Sequence, residues 1–138
     1  MTDSKLELLL HSLNQSSIEK MDINILKDII SMDIKTKQNS PNNKFKVVFE
    51  EVFSFYIVNE EGDLVKKPCF DYTHLNSIGY YKNGVGEFVN IDVSEDELSP
   101  EDVSLPNFAV ELLNSSMFIE ARSIKINDKK FKVGYPDI

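Results

Sequence analysis

The stretch "KFKVVFEEVFSFYIVN", residues 44–59, decides how the chain folds. Rich in β-branched and aromatic side chains, it reads as one long strand. Its inward face does not keep step. Phe45, Val47 and Phe49 share one face, whereas Val52, Ser54, Tyr56 and Val58 restart the count out of phase, and Glu50 and Glu51 stand at the switch. Successive strand residues point to opposite faces, so such a restart requires an extra residue or a sharp bend. A bulge or bend at the two glutamates predicts a strand that turns a barrel or sandwich corner with apolar side chains inward on both sides.

Upstream, "DSKLELLLHSLNQ" places Leu6, Leu9, Leu10 and Leu13 on one helical face, with Asp3 or Ser4 available as N-cap. From Ser17 the period changes to two. Ile18, Met21, Ile23 and Ile25 alternate imperfectly, and Ile30, Met32 and Ile34 alternate strictly, with "LKD" between them as a tight turn. Downstream, "EEGD" at 60–63 reads as a turn, and "NSIGYY" and "GEFVNI" form a hairpin across Asn83-Gly84. "NFAVELLNS", "SMFIEARSIKI" and "KKFKV" supply three final strands, the last two joined at Asn127-Asp128. The fold class is α+β, mainly antiparallel β. A helix over about 3–14 packs on a bent sheet or half-barrel of about seven to eight strands over about 17–135, all in a single domain 1–138.

A chain of 138 residues with 41% hydrophobic content buries a sufficient core without disulfides or metals. The N-terminus lacks the basic region and small-residue cleavage site of a signal peptide, and no stretch reaches the ~18 apolar residues of a membrane span. A cytoplasmic protein is expected. The net charge of −8 is concentrated in one place: the window Asn83 to Ala121 holds nine acids and no lysine or arginine. At its centre lies an acidic loop, about 92–106, with Asp92, Glu95, Asp96, Glu97, Glu101 and Asp102. Such a field repels phosphate backbones and anionic headgroups, so neither nucleic acid nor membrane is an expected partner. It keeps the protein soluble or steers a basic partner towards it.

No catalytic or metal-binding pattern emerges. His11 and His74 have no Cys or His at ligand spacing, and Cys69 has no visible orienting group to make it a nucleophile. Asp71 and His74 match the spacing of an ordinary turn. Asp92, Ser94 and Asp96 begin a calcium-loop count that fails at Glu97, where glycine is needed, and at Val103, where glutamate is needed. Gly79, Gly84 and Gly86 precede no helix and cradle no phosphate. No cofactor and no enzymatic activity are expected, and the aromatics around Tyr80 and Tyr81 are either core or the lining of a small-molecule pocket.

The segments "FEEVFSFYIVNEEGD", "LNSIGYYKNGVGE" and "SSMFIEARSIKINDKKFKVGYP", in this order, resemble the YxiG-like family of small Bacillus and related Firmicute proteins, from about Ser16 to Pro136. The resemblance carries no established activity and no catalytic residues. It implies genes that lie near those of large secreted polymorphic toxins, and hence an immunity protein that binds and neutralises a cognate toxin domain. On that reading the acidic residues, with Tyr80 and Tyr81, face the toxin, and the acidic loop imitates a polyanion if the toxin is a basic nuclease. The competing reading is a small-molecule-binding or enzymatic domain with a pocket lined by the tyrosines of "SIGYYKNG". The oligomeric state is left open by the sequence.

Complementary charge mainly raises association rates. Replacing Glu95, Asp96 and Glu97 with glutamine is expected to slow association with a basic toxin domain and to flatten its salt dependence. Stopped-flow association across a salt series checks this, and unchanged rates would make the window solvated surface only.

Overall fold

The computed structural model of the protein describes residues 2–37, 43–59, 72–85 and 105–136. The leucine stripe forms α1 (Thr2–His11), with Leu6 and Leu10 buried, Leu9 packed beside them and Leu8 left outside. The helix starts at Thr2, so Asp3 and Ser4 lie in its first turn instead of capping it. A closing turn buries Leu13 and ends at Gln15, which takes a left-handed conformation (φ 57°). The Gln15 N–H donates to the Asn76 carbonyl (3.0 Å), and α1 packs against the strand that carries Asn76.

Seven strands complete the chain: β1 (Ser16–Asn24), β2 (Ile29–Lys35), β3 (Lys44–Asn59), β4 (His74–Tyr80), β5 (Phe108–Leu112), β6 (Ser115–Ile126) and β7 (Lys129–Lys132) among the described residues. They form one antiparallel sheet in the order β3-β2-β1-β4-β5-β6-β7, and a further pairing of β3 with β6 closes it into a ring. The architecture is thus mainly β with one helix, as the change of period near Ser16 implies. The weakest joint is between β1 and β4, where the ladder consists of Ser16 opposite Leu75 and Ser17 opposite His74. The ring is filled by side chains from every wall. Phe49 of β3 meets Phe108 of β5 edge to face at 5.1 Å, and Tyr80 of β4 lies 5.2 Å from the same ring.

The bend in β3 falls where the two glutamates place it, but the count beyond it differs from expectation. Glu51 has φ 53°, and the β3–β6 ladder slips between Val52 and Ser54, leaving Phe53 as the extra residue. That slip reverses the faces. Phe55, opposite Ile119, packs against the core, while Tyr56 lies outside against Phe118 at 5.2 Å and Val58 is exposed. Ser54, Tyr56 and Val58 therefore do not form the inward face. β6 reverses at the same level: Met117, Ile119 and Ala121 point inward before the bend, Ile124 and Ile126 after it. The upstream hairpin also needs a correction. Ile25, counted in the imperfect alternation of β1, sits in the 3₁₀ turn Ile25–Lys27 and faces solvent.

One edge of β6 changes neighbours along its length, pairing with β5 at Ser116–Ile119 and with β7 at Ser123–Ile126. Ala121 lies in the gap between them. There the buried Asn107 side chain substitutes for a strand, because its amide accepts from the Ala121 N–H (3.0 Å) and donates to the Ala121 carbonyl (2.9 Å). It also donates to the Gly134 carbonyl at 3.1 Å. Beside it the buried Glu120 accepts from the Leu105 N–H at 2.5 Å. Together these contacts hold the segment before β5, and the residues after β7, onto β6.

Leaving the Ala121 amide and carbonyl buried without partners is costly. Asn107→Ala is expected to destabilise the protein by about 3 kcal/mol, a fall in melting temperature on the order of 10 °C. Asn107→Asp keeps the acceptor but loses both donated bonds, so it does not restore the native melting temperature. Calorimetry on the three proteins checks the order.

Candidate functional site

The turn between β1 and β2 begins with Asn24, whose Oδ1 accepts from the Lys27 N–H at 3.2 Å, and ends with Asp28 in a left-handed conformation, φ 57°. Asparagine and aspartate suit these positions because their short side chains bond to nearby backbone and tolerate positive φ. The geometry leaves Ile25 73% and Leu26 97% exposed at the tip. Turn positions are normally polar, so two large apolar side chains presented to water set this tip apart. The tip is fixed to the bend of β3, since the Val52 N–H donates to the Asp28 carbonyl at 2.9 Å.

Pairing between β2 and β3 runs as far as Phe49, opposite Ile30, and β3 continues past the tip. Between the tip and this continuation lies a cleft of about 290 Å³, walled by Ile23, Ile25 and Ile29 on one side and by Val52, Phe53 and Phe55 on the other. Phe53, pushed out by the bulge, is 51% exposed. The sequence Val52–Val58 carries no charge and no proline, whereas β7, which has β6 as its neighbour, carries Lys129, Lys130 and Lys132. Charged edges repel unwanted strands, so β7 has the guard that this part of β3 lacks.

A second, polar hollow of about 410 Å³ adjoins the cleft and is lined by Lys27, Asp28, Glu51, Phe53, Arg122 and Tyr135 among others. The Tyr135 hydroxyl donates to the Glu51 carbonyl at 2.7 Å, its ring lies 4.9 Å beneath the Arg122 guanidinium, and Arg122 Nε is 3.5 Å from Glu51 Oε2. The ion pair is solvent-exposed and contributes little. The hydroxyl bond matters more, because it satisfies the carbonyl of the residue with positive φ. The Tyr135 pKa is raised above its ordinary value of 10.0, chiefly by burial, with the neighbouring Glu51 carboxylate adding to the rise against the opposing pull of Arg122.

The residues singled out in the sequence fall elsewhere. Asp92, Glu95, Asp96, Glu97, Glu101 and Asp102 lie outside the described residues, as do Cys69, Asp71 and the "GEFVNI" half of the expected hairpin. Gly84 has φ 94°, but its N–H donates to the Tyr81 carbonyl at 3.0 Å, so the turn centres on Lys82 and Asn83, and Asn83 does not take the positive φ expected of it. Tyr80 and Tyr81 do not converge: Tyr80 packs inward on Phe108, while the Tyr81 ring lies over Gly79, where a Cβ would come within 2.8 Å of it. His11 Nδ1 is 3.2 Å from the Asn14 amide, and His74 opens β4. Among the described residues no group of three His, Cys, Asp or Glu side chains could hold a metal, and no helix is long and apolar enough to cross a membrane. The turn and the bend were both read from the sequence, but the apolar side chains they expose, Ile25, Leu26 and Phe53, were not singled out as a site, although Ile25-Leu26 in a turn was the visible sign.

Tyr135→Phe removes one hydrogen bond at a partly exposed site and is expected to cost about 0.5–1 kcal/mol. The pH dependence has a definite sign. A folded pKa raised above the unfolded one gives stability that is complete below about pH 10 and is lost as pH rises through the folded value. Alkaline unfolding curves of the native protein should therefore weaken above pH 10 more than those of Tyr135→Phe.

Comparisons with known proteins bear on this surface only through kinship. The family model described as "YxiG-like protein" matches residues 6–131. A relative described as "Uncharacterized protein YxiG", from Bacillus subtilis (strain 168), is 27% identical over 118 residues, which cover 83% of this chain and 81% of the relative. No solved structure matches. A match that runs from Leu6 of α1 to Phe131 of β7 takes in the second half of the helix and reaches all seven strands, and the chain belongs to the YxiG-like family.

Proposed function

We propose that this protein works by binding another protein, and that its partner is a cognate polymorphic toxin domain which it neutralises as an immunity protein in the cytoplasm. The observation that supports binding is the apolar surface at the β1–β2 tip and the β3 bulge, where Ile25, Leu26 and Phe53 stand exposed side by side with a cleft. Such a surface has a free-energy reason to be covered. The toxin as partner rests on the resemblance to YxiG-like proteins and what it implies about neighbouring genes. The acidic window supports a partner with a basic face.

Blocking a toxin requires only occupancy of its active surface, so the reading needs no catalytic residue in this chain. The test pairs the purified protein with the C-terminal domain of the secreted protein encoded beside it. Binding by calorimetry is expected, and Leu26→Asp should raise Kd by about tenfold, or ~1.4 kcal/mol, without loss of fold, since Leu26 makes no core contact. A toxin domain that does not bind, or that remains active when saturated with the protein, would overturn the proposal.

A further inference from the structure

Two features of the cleft between the β1–β2 tip and the β3 bulge narrow down what enters it. The first is size. At about 290 Å³ it lies at the lower edge of the ~300–1,000 Å³ of small-molecule pockets, which is room for one large side chain and not for a helix or a second strand pair. The second is charge. Of the residues lining the cleft, Asp28 alone is charged. The neighbouring acids are already engaged, Glu51 with Arg122 at 3.5 Å and Asp22 with Lys20 at 3.5 Å. Asp28 enters no ion pair among the described residues, and its backbone, not its carboxylate, makes the bonds that fix the turn. An apolar cleft with a carboxylate at its rim suits an apolar side chain adjacent to a cation.

A second copy of this chain is the nearest source of such a group, because Leu26 is followed by Lys27 at the tip. The contact available to it is too small. Ten residues line the cleft, whereas a stable dimer uses about 20–30 residues a side, and reciprocal insertion of two tips adds few others. A larger partner can extend its contact beyond the cleft.

We propose that the cleft is an anchor pocket for a partner protein, and that it takes one aromatic or branched aliphatic side chain flanked by lysine or arginine, the cation resting against Asp28. This rests on the protein-binding reading given above. The anchor buries against Ile23, Ile29 and Phe55, and the cation supplies selectivity over sequences that present the same side chain beside an acid. The local structure is suited to this, since the Asp28 carbonyl is engaged by Val52 and the hairpin tip cannot swing away from β3 without breaking that bond.

The test is a methyl NMR titration of the full-length protein with two capped tetrapeptides, acetyl-Gly-Trp-Lys-Gly-amide and acetyl-Gly-Trp-Glu-Gly-amide. The lysine peptide should shift the methyl signals of Ile23, Ile25 and Ile29 and bind at least threefold more tightly than the glutamate peptide. Asp28→Asn retains a residue that accepts positive φ, so the fold is kept while the charge is lost, and the preference should disappear. Ile25→Ser should weaken both peptides. Equal binding of the two peptides, shifts located elsewhere, or a preference that survives Asp28→Asn would overturn the inference. So would concentration-dependent dimerisation in sedimentation that Ile25→Ser abolishes, since a second copy would then be the occupant. If the toxin domain binds but neither variant alters its Kd, the anchor pocket is wrong and the protein-binding reading stands. If the peptides behave as expected but the toxin domain does not bind, the pocket stands and the toxin assignment falls.

Discussion

The bend at Glu51 is the constraint on which the rest of the structure depends. A left-handed glutamate in mid-strand costs about 1 kcal/mol, and three neighbours hold it: Tyr135 bonds its carbonyl, Val52 beside it bonds Asp28, and Arg122 sits opposite. The effect of that strain is geometric. Before the bend β3 lies between β2 and β6; beyond it the strand stays with β6 and leaves β2. The same few residues thereby close the ring, free the hairpin tip from further pairing and open the cleft. Fold and candidate site share one cause, so the site could not be moved without dismantling the closure.

The bend was legible because charge interrupted hydrophobicity. Glu50 and Glu51 mark a phase change that any count of alternate residues exposes, and the Asn127-Asp128 turn is marked in the same local way. The direction of β3 after the bend was not legible. Phe53, Phe55, Tyr56, Ile57 and Val58 are all apolar, and a continuous apolar run contains no period from which to tell the bulged residue from its neighbours. Ile25 misled for a related reason, since alternation alone cannot show that a strand has already ended. Asn107 and Tyr135 were invisible because their partners, Ala121 and Glu51, are distant in sequence, and a polar residue in a connection looks the same whether it faces water or completes a sheet.

Charge and exposed apolar side chains belong to different stretches of the sequence. The acids of the window Asn83 to Ala121 account for more than the whole net charge, and the remaining chain is close to neutral. The hairpin tip carries one lysine and one aspartate beside its exposed isoleucine and leucine. On the proposed reading, long-range attraction and short-range fit are then properties of different residues.

The closure of the ring by β3 and β6 has a consequence for biosynthesis. Partners such as Tyr56 and Phe118, or Val47 and Ile126, are separated by on the order of 60–80 residues. At elongation rates of about 5–20 residues per second, β3 waits roughly 3–16 s on the ribosome before β6 has been made. Throughout that interval the uncharged run Val52–Val58 has neither its ladder nor the core beneath it. The nascent chain is at its most adhesive in mid-synthesis, and the yield of folded protein depends on how well that interval is shielded by chaperones.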